Sequence, residues 1–312
     1  MPIVEKVLRV AAFGGSRAAT QRGQAPDGGG AGSSSASAVQ EAQRCQWLEA
    51  VVHGACGRYA AATTLLEPLS RRGGAVASLA ASALASHRRQ LGGHAAALRL
   101  DGLALRRAIE AGEARELHST SPGWESEDPD GLDVPGALAD ALIGLAADHL
   151  GLGRFAESAV LLKRAAGVVA VSGSWRTETR LGWVRAELAL ASGRPADSIS
   201  PAERALEVSE RHGADRHAAK SAMVLGAALA ARRETGDEDR ARRLVKSALS
   251  SAEQNGWRSL TWPARALLAD LETDHELTVW NRSRTTDELN ELLESTDPVG
   301  RRLARDSPWV PI

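Results

Sequence analysis

From about Ala38 onward, large apolar side chains return every three or four residues, the spacing of one helix face. Trp47, Leu48, Val51 and Val52 form the first such stripe. Leu138, Leu142, Leu145 and Leu150 form another, and Leu289, Leu292 and Leu293 a last one. Glycine-centred breaks interrupt the pattern at Gly57-Arg58-Tyr59, Gly92-Gly93-His94, Gly153-Arg154-Phe155, Gly193-Arg194-Pro195 and Gly236-Asp237-Glu238. Each predicts a tight turn between two helices, with glycine supplying the positive φ that the turn needs. Ahead of this region, residues 1–15 predict a short helix or strand with Val4, Val7, Leu8 and Val10 as its apolar positions. Such a segment is suited to dock on the rest of the chain. Residues 16–37, with Gly28-Gly29-Gly30 and Ser33-Ser34-Ser35, read as a flexible linker.

The breaks are copies of one unit. Five residues after each turn glycine stands a small side chain: Ala62, Ala97, Ser158, Ser198 and Ala241. Seven further on stand Leu69, Ala104, Ala165, Ala205 and Ala248. Small residues at both offsets let two antiparallel helices approach closely. Successive turn glycines are 35, 61, 40 and 43 residues apart. With a hairpin unit of about 34 residues as the reference period, the turns, small positions and spacing together resemble the tetratricopeptide repeat family. The longer units are similar to the extended repeats of bacterial regulatory proteins. The resemblance implies an all-α, right-handed α-α superhelix: about five helical hairpins over residues 38–275, closed by capping helices and a tail in 276–312. It also implies a groove, lined by the first helix of each repeat, that takes an extended peptide or a helix.

Several positions depart from the repeat. Leu69 replaces a small residue, and Asp101 stands where Leu66, Leu162 and Val245 are apolar. Ser200-Pro201-Ala202-Glu203 reads as a capping box, so the fourth repeat's second helix is expected to kink or start late. Thr285-Thr286-Asp287-Glu288 likewise reads as the cap of a last helix. The 61-residue interval carries an acidic insertion, about residues 118–136, with Trp124, Glu125, Glu127, Asp128, Asp130 and Asp133. Its expected states are a solvated loop, or an arm that contacts a partner or the chain's own groove. The tail Ser307-Pro308-Trp309-Val310-Pro311-Ile312 is either frayed or a docking motif.

Composition narrows the class without changing the fold. Ala and Leu dominate the apolar residues, which favours helix over strand. A net charge of −1 argues against a general nucleic-acid-binding surface. Basic residues are mostly Arg, with Lys only at Lys6, Lys163, Lys220 and Lys246, as in a GC-rich bacterial genome. No stretch reaches the roughly 20 apolar residues of a membrane span, and no signal peptide is evident, so a cytoplasmic protein without membrane contact is expected. Cys45 and Cys56 fall in one predicted helix about 16 Å apart along its axis, too far for a disulfide and in keeping with reduced thiols.

Chemistry-bearing motifs are scarce. Gly151-Leu152-Gly153-Arg154-Phe155-Ala156 matches the letters of a dinucleotide fingerprint, but a helical stripe precedes it where a strand is required. No P-loop, no His-Glu-x-x-His and no Gly-x-Ser-x-Gly occurs. His212 and His217, five apart, would diverge on a helix, and His149 reads as a helix-end residue. No catalytic residue, cofactor or metal is therefore expected, and the chain is read as a non-enzyme. A subset of the resembled family grips a peptide's terminal carboxylate with Lys and Asn, but Asn occurs only at Asn255, Asn281 and Asn290, beyond the fifth turn. The remaining candidates for a partner-binding groove are Trp175, Arg176, Arg180, Trp183, Arg216 and Lys220, an aromatic and basic set suited to an acidic or helical peptide. The expected function is a scaffold or adaptor for a protein or peptide partner. The alternative is a ligand- or peptide-responsive regulator acting on transcription machinery through a protein partner.

Overall fold

A computed structural model describes residues 3–14, 35–116, 126 and 128–312. The described residues contain fourteen α-helices. A detached first helix, α1 (Ile3–Phe13), precedes α2 (Ser35–Ala55) and α3 (Tyr59–Ser70). Next come α4 (Ala75–Gln90), α5 (His94–Glu116), α6 (Val134–Gly151) and α7 (Phe155–Ser172). These are followed by α8 (Trp175–Ala191), α9 (Pro195–Arg211), α10 (Asp215–Arg232) and α11 (Asp237–Gln254). The chain ends with α12 (Arg258–Leu271), α13 (His275–Glu294) and α14 (Pro298–Asp306). Residues 1, 2, 15–34, 117–125 and 127 are not among the described residues, so most of the linker expected over 16–37, and Trp124, Glu125 and Glu127 of the insertion, lie outside them; Ser35, Ala36 and Ser37, expected in the linker, instead begin α2.

From α2 to α13 each helix packs on the next, as expected of a helical repeat. The five turn glycines have φ between 70° and 84°, the left-handed region that glycine enters without strain. The small residues behind the turns, Ala62, Ala97, Ser158, Ser198 and Ala241, are fully buried, and so is the bulkier Leu69. A side chain of one or two heavy atoms there brings the two helices of each hairpin together.

The layering decides where a site can form. The even-numbered helices α2 to α12 also pack on one another in order, and α12 packs back on α2. Six helices thus line an interior, and α3, α5, α7, α9, α11 and α13 lie outside them. The two ends of the array are joined. The Ala60 amide donates to the Ser295 carbonyl at 2.9 Å. Arg88 pairs with Asp297 at 2.6 Å, and Tyr59, Leu91, Leu289, Leu292 and Val310 share one apolar cluster. Each large side chain buried in that seam contributes about 1.5–3 kcal/mol. No helix among the described residues is long and apolar enough to cross a membrane.

Four local expectations need correction. Helix α9 does not start late: it runs unbroken from Pro195 to Arg211 with Pro201 inside, and Ser200 caps nothing. The start is set by the turn before Pro195, and Gly182 of α8 faces the Pro201 carbonyl, where an added Cβ would come within 2.7 Å. Helix α13 begins after Asp274, whose carboxylate accepts from the amides of Glu276 (2.8 Å) and Leu277 (3.3 Å). Thr285 is mid-helix instead, donating to the Asn281 carbonyl at 2.8 Å. The insertion ends at Asp133, which caps α6 by accepting from the Gly136 amide at 3.0 Å. In α1 only Leu8 of the four expected apolar positions packs on the core: Val4, Val7 and Val10 are exposed, while Glu5 and Arg9 are buried. An ion cluster described below reverses the usual polarity.

Candidate ligand-binding site

Helix α1 closes one end of the interior. Its last side chain, Phe13, lies between Trp47 of α2, Trp175 of α8 and His217 of α10, with ring centroids 6.3, 6.0 and 5.9 Å away. The following residue, Gly14, abuts the first turn of α10, and a Cβ there would come within 2.7 Å of the Asp215 amide nitrogen. The other end of α1 is held by charge. Arg9 pairs with Glu5 at 2.7 Å, Asp128 at 2.6 Å and Asp130 at 2.5 Å. Burial opposes the Arg9 charge, but the hydrogen bonds it donates to Asp128 and Glu5 outweigh it and raise its pKa. Asp130 also accepts from the Trp175 indole at 2.8 Å, so the acidic segment ties α1 to α8.

Beyond Phe13 the interior widens. A void of about 80 Å³ adjoins the Phe13 ring, and a cavity of about 550 Å³ lies above it, lined by α4, α6, α8, α10 and α12. Ser86, Gln90, Arg180, Arg216 and His217 border both, so they form the floor of the larger cavity. Higher on the same helices the walls turn apolar, through Leu190, Met223, Val224, Leu260, Trp262 and Leu267. From Arg180 to Leu190 the floor-to-mouth distance along α8 is about 15 Å, at 1.5 Å per residue.

Three ion clusters border this space, and they are not alike. Arg89 of α4 is held by Asp101 of α5 at 2.9 Å and by Asp148 of α6, both carboxylates fully buried. Burial pushes the Asp148 carboxyl up to about 8, Arg89 opposing and Asp101 reinforcing the shift, and burial raises Asp101 as well. Arg176 and Arg180 share one carboxylate, Asp140 of α6, at 2.7 and 3.0 Å. Arg216 and Lys220 of α10 have no carboxylate within salt-bridge distance among the described residues. The Lys220 ammonium instead sits 4.4 Å from the Trp183 ring. Burial lowers the pKa of Arg180, Arg216 and Lys220, with Asp140 opposing at Arg180 and Glu187 at Lys220. His217 is buried and held neutral by burial and by the nearby Arg216 charge.

The six candidates from the sequence therefore divide. Arg180, Trp183, Arg216 and Lys220 line the cavity, whereas Trp175 and Arg176 face α1 and the acidic segment beneath it. The expectation that His212 and His217 diverge needs correction: His212 ends α9, His217 lies in α10, and both rings pack on Trp175, at 5.6 and 5.0 Å. Sequence reading missed Arg89, Asp140, Glu187 and Trp262. Asp140 and Asp148 did carry a signal, since they sit eight apart, about two turns, on the otherwise apolar stripe of α6. Cys45 and Cys56 are half-buried free thiols, and neither lines the cavity. No group of three or more metal-ligating side chains occurs among the described residues. No protein-family model matches the chain, and no curated protein matches it in sequence.

Proposed function

We propose that this chain is a non-enzymatic binding protein of tetratricopeptide-like build, whose site is the interior enclosed by its inner helices. The observation that carries the reading is the convergence of five helices on one 550 Å³ cavity, with Phe13 on the smaller void beneath it. That volume falls in the range of roughly 300–1,000 Å³ for small-molecule sites. The wall mixes apolar side chains with a few polar groups that fix orientation, as such sites do. A ligand there touches α4, α6, α8, α10 and α12 at once, so its binding biases how the hairpins sit against each other. This favours the ligand-responsive reading, with a protein partner sensing the outer surface, over an open peptide groove.

The test is a thermal-shift comparison of the protein with Ala227→Trp, which fills the cavity wall, in the presence of the small-molecule fraction of a bacterial extract. The native chain is expected to gain several degrees and the variant none. Equal shifts, or no shift in the native chain, would defeat the reading. A second reading, an adaptor that grips a helical peptide, has one observation in its favour: α1 already lies against α2 and α10 as a helix. It requires that deleting residues 1–14 exposes capture of a helical partner that the full chain does not retain.

A further inference from the structure

The cavity is graded from floor to mouth, and the gradient specifies a ligand. At the floor, Arg180 has half a partner and Arg216 has none; one turn higher, Lys220 sits on the Trp183 face, with Glu187 offsetting its charge from beyond salt-bridge distance. Arg216 Nε is buried with no hydrogen-bond acceptor. The cations that line the cavity are Arg89, Arg180, Arg216 and Lys220, and four carboxylates act on them: Asp101 and Asp148 on Arg89, Asp140 on Arg180 and Glu187 on Lys220. The four carboxylates are unevenly spread. Two are spent on Arg89 alone, which leaves the α8–α10 side of the floor in cationic excess. Toward the mouth, Glu187 lines the wall one turn below Leu190, and Leu190, Leu260, Trp262 and Leu267 are apolar.

We infer that the cavity binds an amphipathic organic anion, its carboxylate or phosphate head on Arg180, Arg216 and Lys220 and its apolar body along the α10 and α12 walls toward Trp262. This rests on the reading that the interior is the binding site. A buried guanidinium without an acceptor is costly, and an anion that supplies two charge-assisted hydrogen bonds relieves that cost. Helix direction adds to it. Helices α8 and α10 both begin at the α1 end and run toward the mouth, so their positive N-terminal ends lie on the same side as the cationic floor. A cation would meet the wrong sign at the floor, and a neutral apolar molecule would leave the Arg216 donor unsatisfied. A long peptide is disfavoured, because Phe13, packed on Trp47, Trp175 and His217, occupies the α1 end of the interior.

The experiment titrates full-length protein with decanoate, decanol and decylamine below their micelle concentrations, read by calorimetry and by the fluorescence of the cavity tryptophans. Decyl phosphate replaces decanoate in a parallel arm to separate the two head groups. Decanoate or decyl phosphate is expected to bind at least tenfold more tightly than decanol, and decylamine more weakly still. Arg216→Gln and Lys220→Met are each expected to weaken the anion by about 10–100-fold and to leave decanol unchanged. Arg302→Gln, which removes an exposed charge far from the cavity, is expected to change nothing. If decanol binds as tightly as the anions, or the floor variants bind decanoate like the native chain, the anion assignment is wrong while the interior remains a binding site. If none of the amphiphiles binds although extract still shifts the native chain and not Ala227→Trp, the ligand class is overturned and only the site stands.

Discussion

Arg89 and Arg216 line the same cavity from facing helices, and they differ in what the rest of the chain has provided for them. Arg89 meets two buried carboxylates and the Gly144 carbonyl, from the two helices that follow its own. Arg216 meets the repelling charge of Arg180 and empty volume. A charge compensated on every side holds elements together, because removing it strands its partners in a medium that solvates them poorly. A charge left uncompensated contributes little to folding and is available to something from outside. The contrast between structural and receptive charge is what can be broken by mutation.

The largest effect is expected at the compensated site. Arg89→Met keeps the aliphatic stem and strands Asp101 and Asp148, both inaccessible to solvent. Loss of one partner from a buried ion cluster costs about 3–5 kcal/mol, so urea unfolding should move to clearly lower midpoint at unchanged m-value. A midpoint within experimental scatter of the native chain would mean that the cluster is not structural. Next is Gly144→Ala. A Cβ at Gly144 would run into the Asp101 carboxylate, the acceptor for Arg89. Overpacking of that kind typically costs about 1–3 kcal/mol, and here the expected readout is loss of amide protection in α5 and α6 ahead of the other hairpins.

The pH dependence follows from the same cluster and from two histidines. Burial, with Arg88 and Arg216 nearby, lowers His87 to about 3, and burial with Arg89 lowers His94 to about 4. An unfolded histidine takes its proton near 6.5, so from there down to about 4 the unfolded chain binds protons that the native chain refuses. Stability therefore falls as pH drops below about 6.5, by up to about 1.4 kcal/mol per pH unit for each such group. Asp148 acts in the opposite sense: the native carboxyl keeps its proton up to about 8, whereas the unfolded one loses it near 3.8. Its contribution shrinks as pH rises from about 4 to 8. The native chain should be most stable near pH 6.5 and lose stability toward 8. Asp148→Asn, which mimics the protonated acid, should flatten that alkaline limb and steepen the acid one. An alkaline limb of unchanged slope in the variant would contradict the raised pKa.

How much of this was legible in the sequence depends on whether the cause is local. The turn glycines and the small residues behind them declare themselves, because a tight hairpin imposes sterics within about a dozen positions. The helices, too, follow from Ala, Leu and their spacing. Closure of α12 onto α2 does not, since an inner helix looks the same whether it ends an array or completes a ring. Helix α1 misled for a related reason: Val4, Val7 and Val10 suggest the buried face, and only Asp128 and Asp130, more than 110 residues away, make burial of Arg9 the better arrangement. The capping readings at Ser200 and Thr285 failed because a Ser-x-x-Glu or Thr-x-x-Glu string is equally compatible with mid-helix positions when the true start is set by a turn upstream. Of the candidate site, Arg180, Trp183, Arg216 and Lys220 were found from composition and stripe alone. Their partner on α6, Asp140, was passed over because one acidic residue in an apolar stripe was not weighed as a buried counter-ion.

The smallest expected effect completes the comparison. Arg216→Met makes the same chemical change as Arg89→Met, removing one guanidinium from the wall of the same cavity. Here no carboxylate is stranded, and a methionine side chain suits a wall that already holds Met223 and Leu260. Removal also relieves the Arg216 contribution that disfavours charge on Arg180 and on His217. The change in unfolding free energy should thus lie within about 0.5 kcal/mol of zero, the range of substitutions that touch no structural feature, with any deviation toward greater stability. Equal losses from the two substitutions would place Arg216 among the structural charges and leave the cavity floor with nothing to offer a ligand. A loss at Arg89 alone would mean that the fold tolerates Arg216 without depending on it, and a desolvated cation that folding does not need is best accounted for by an anion that arrives later.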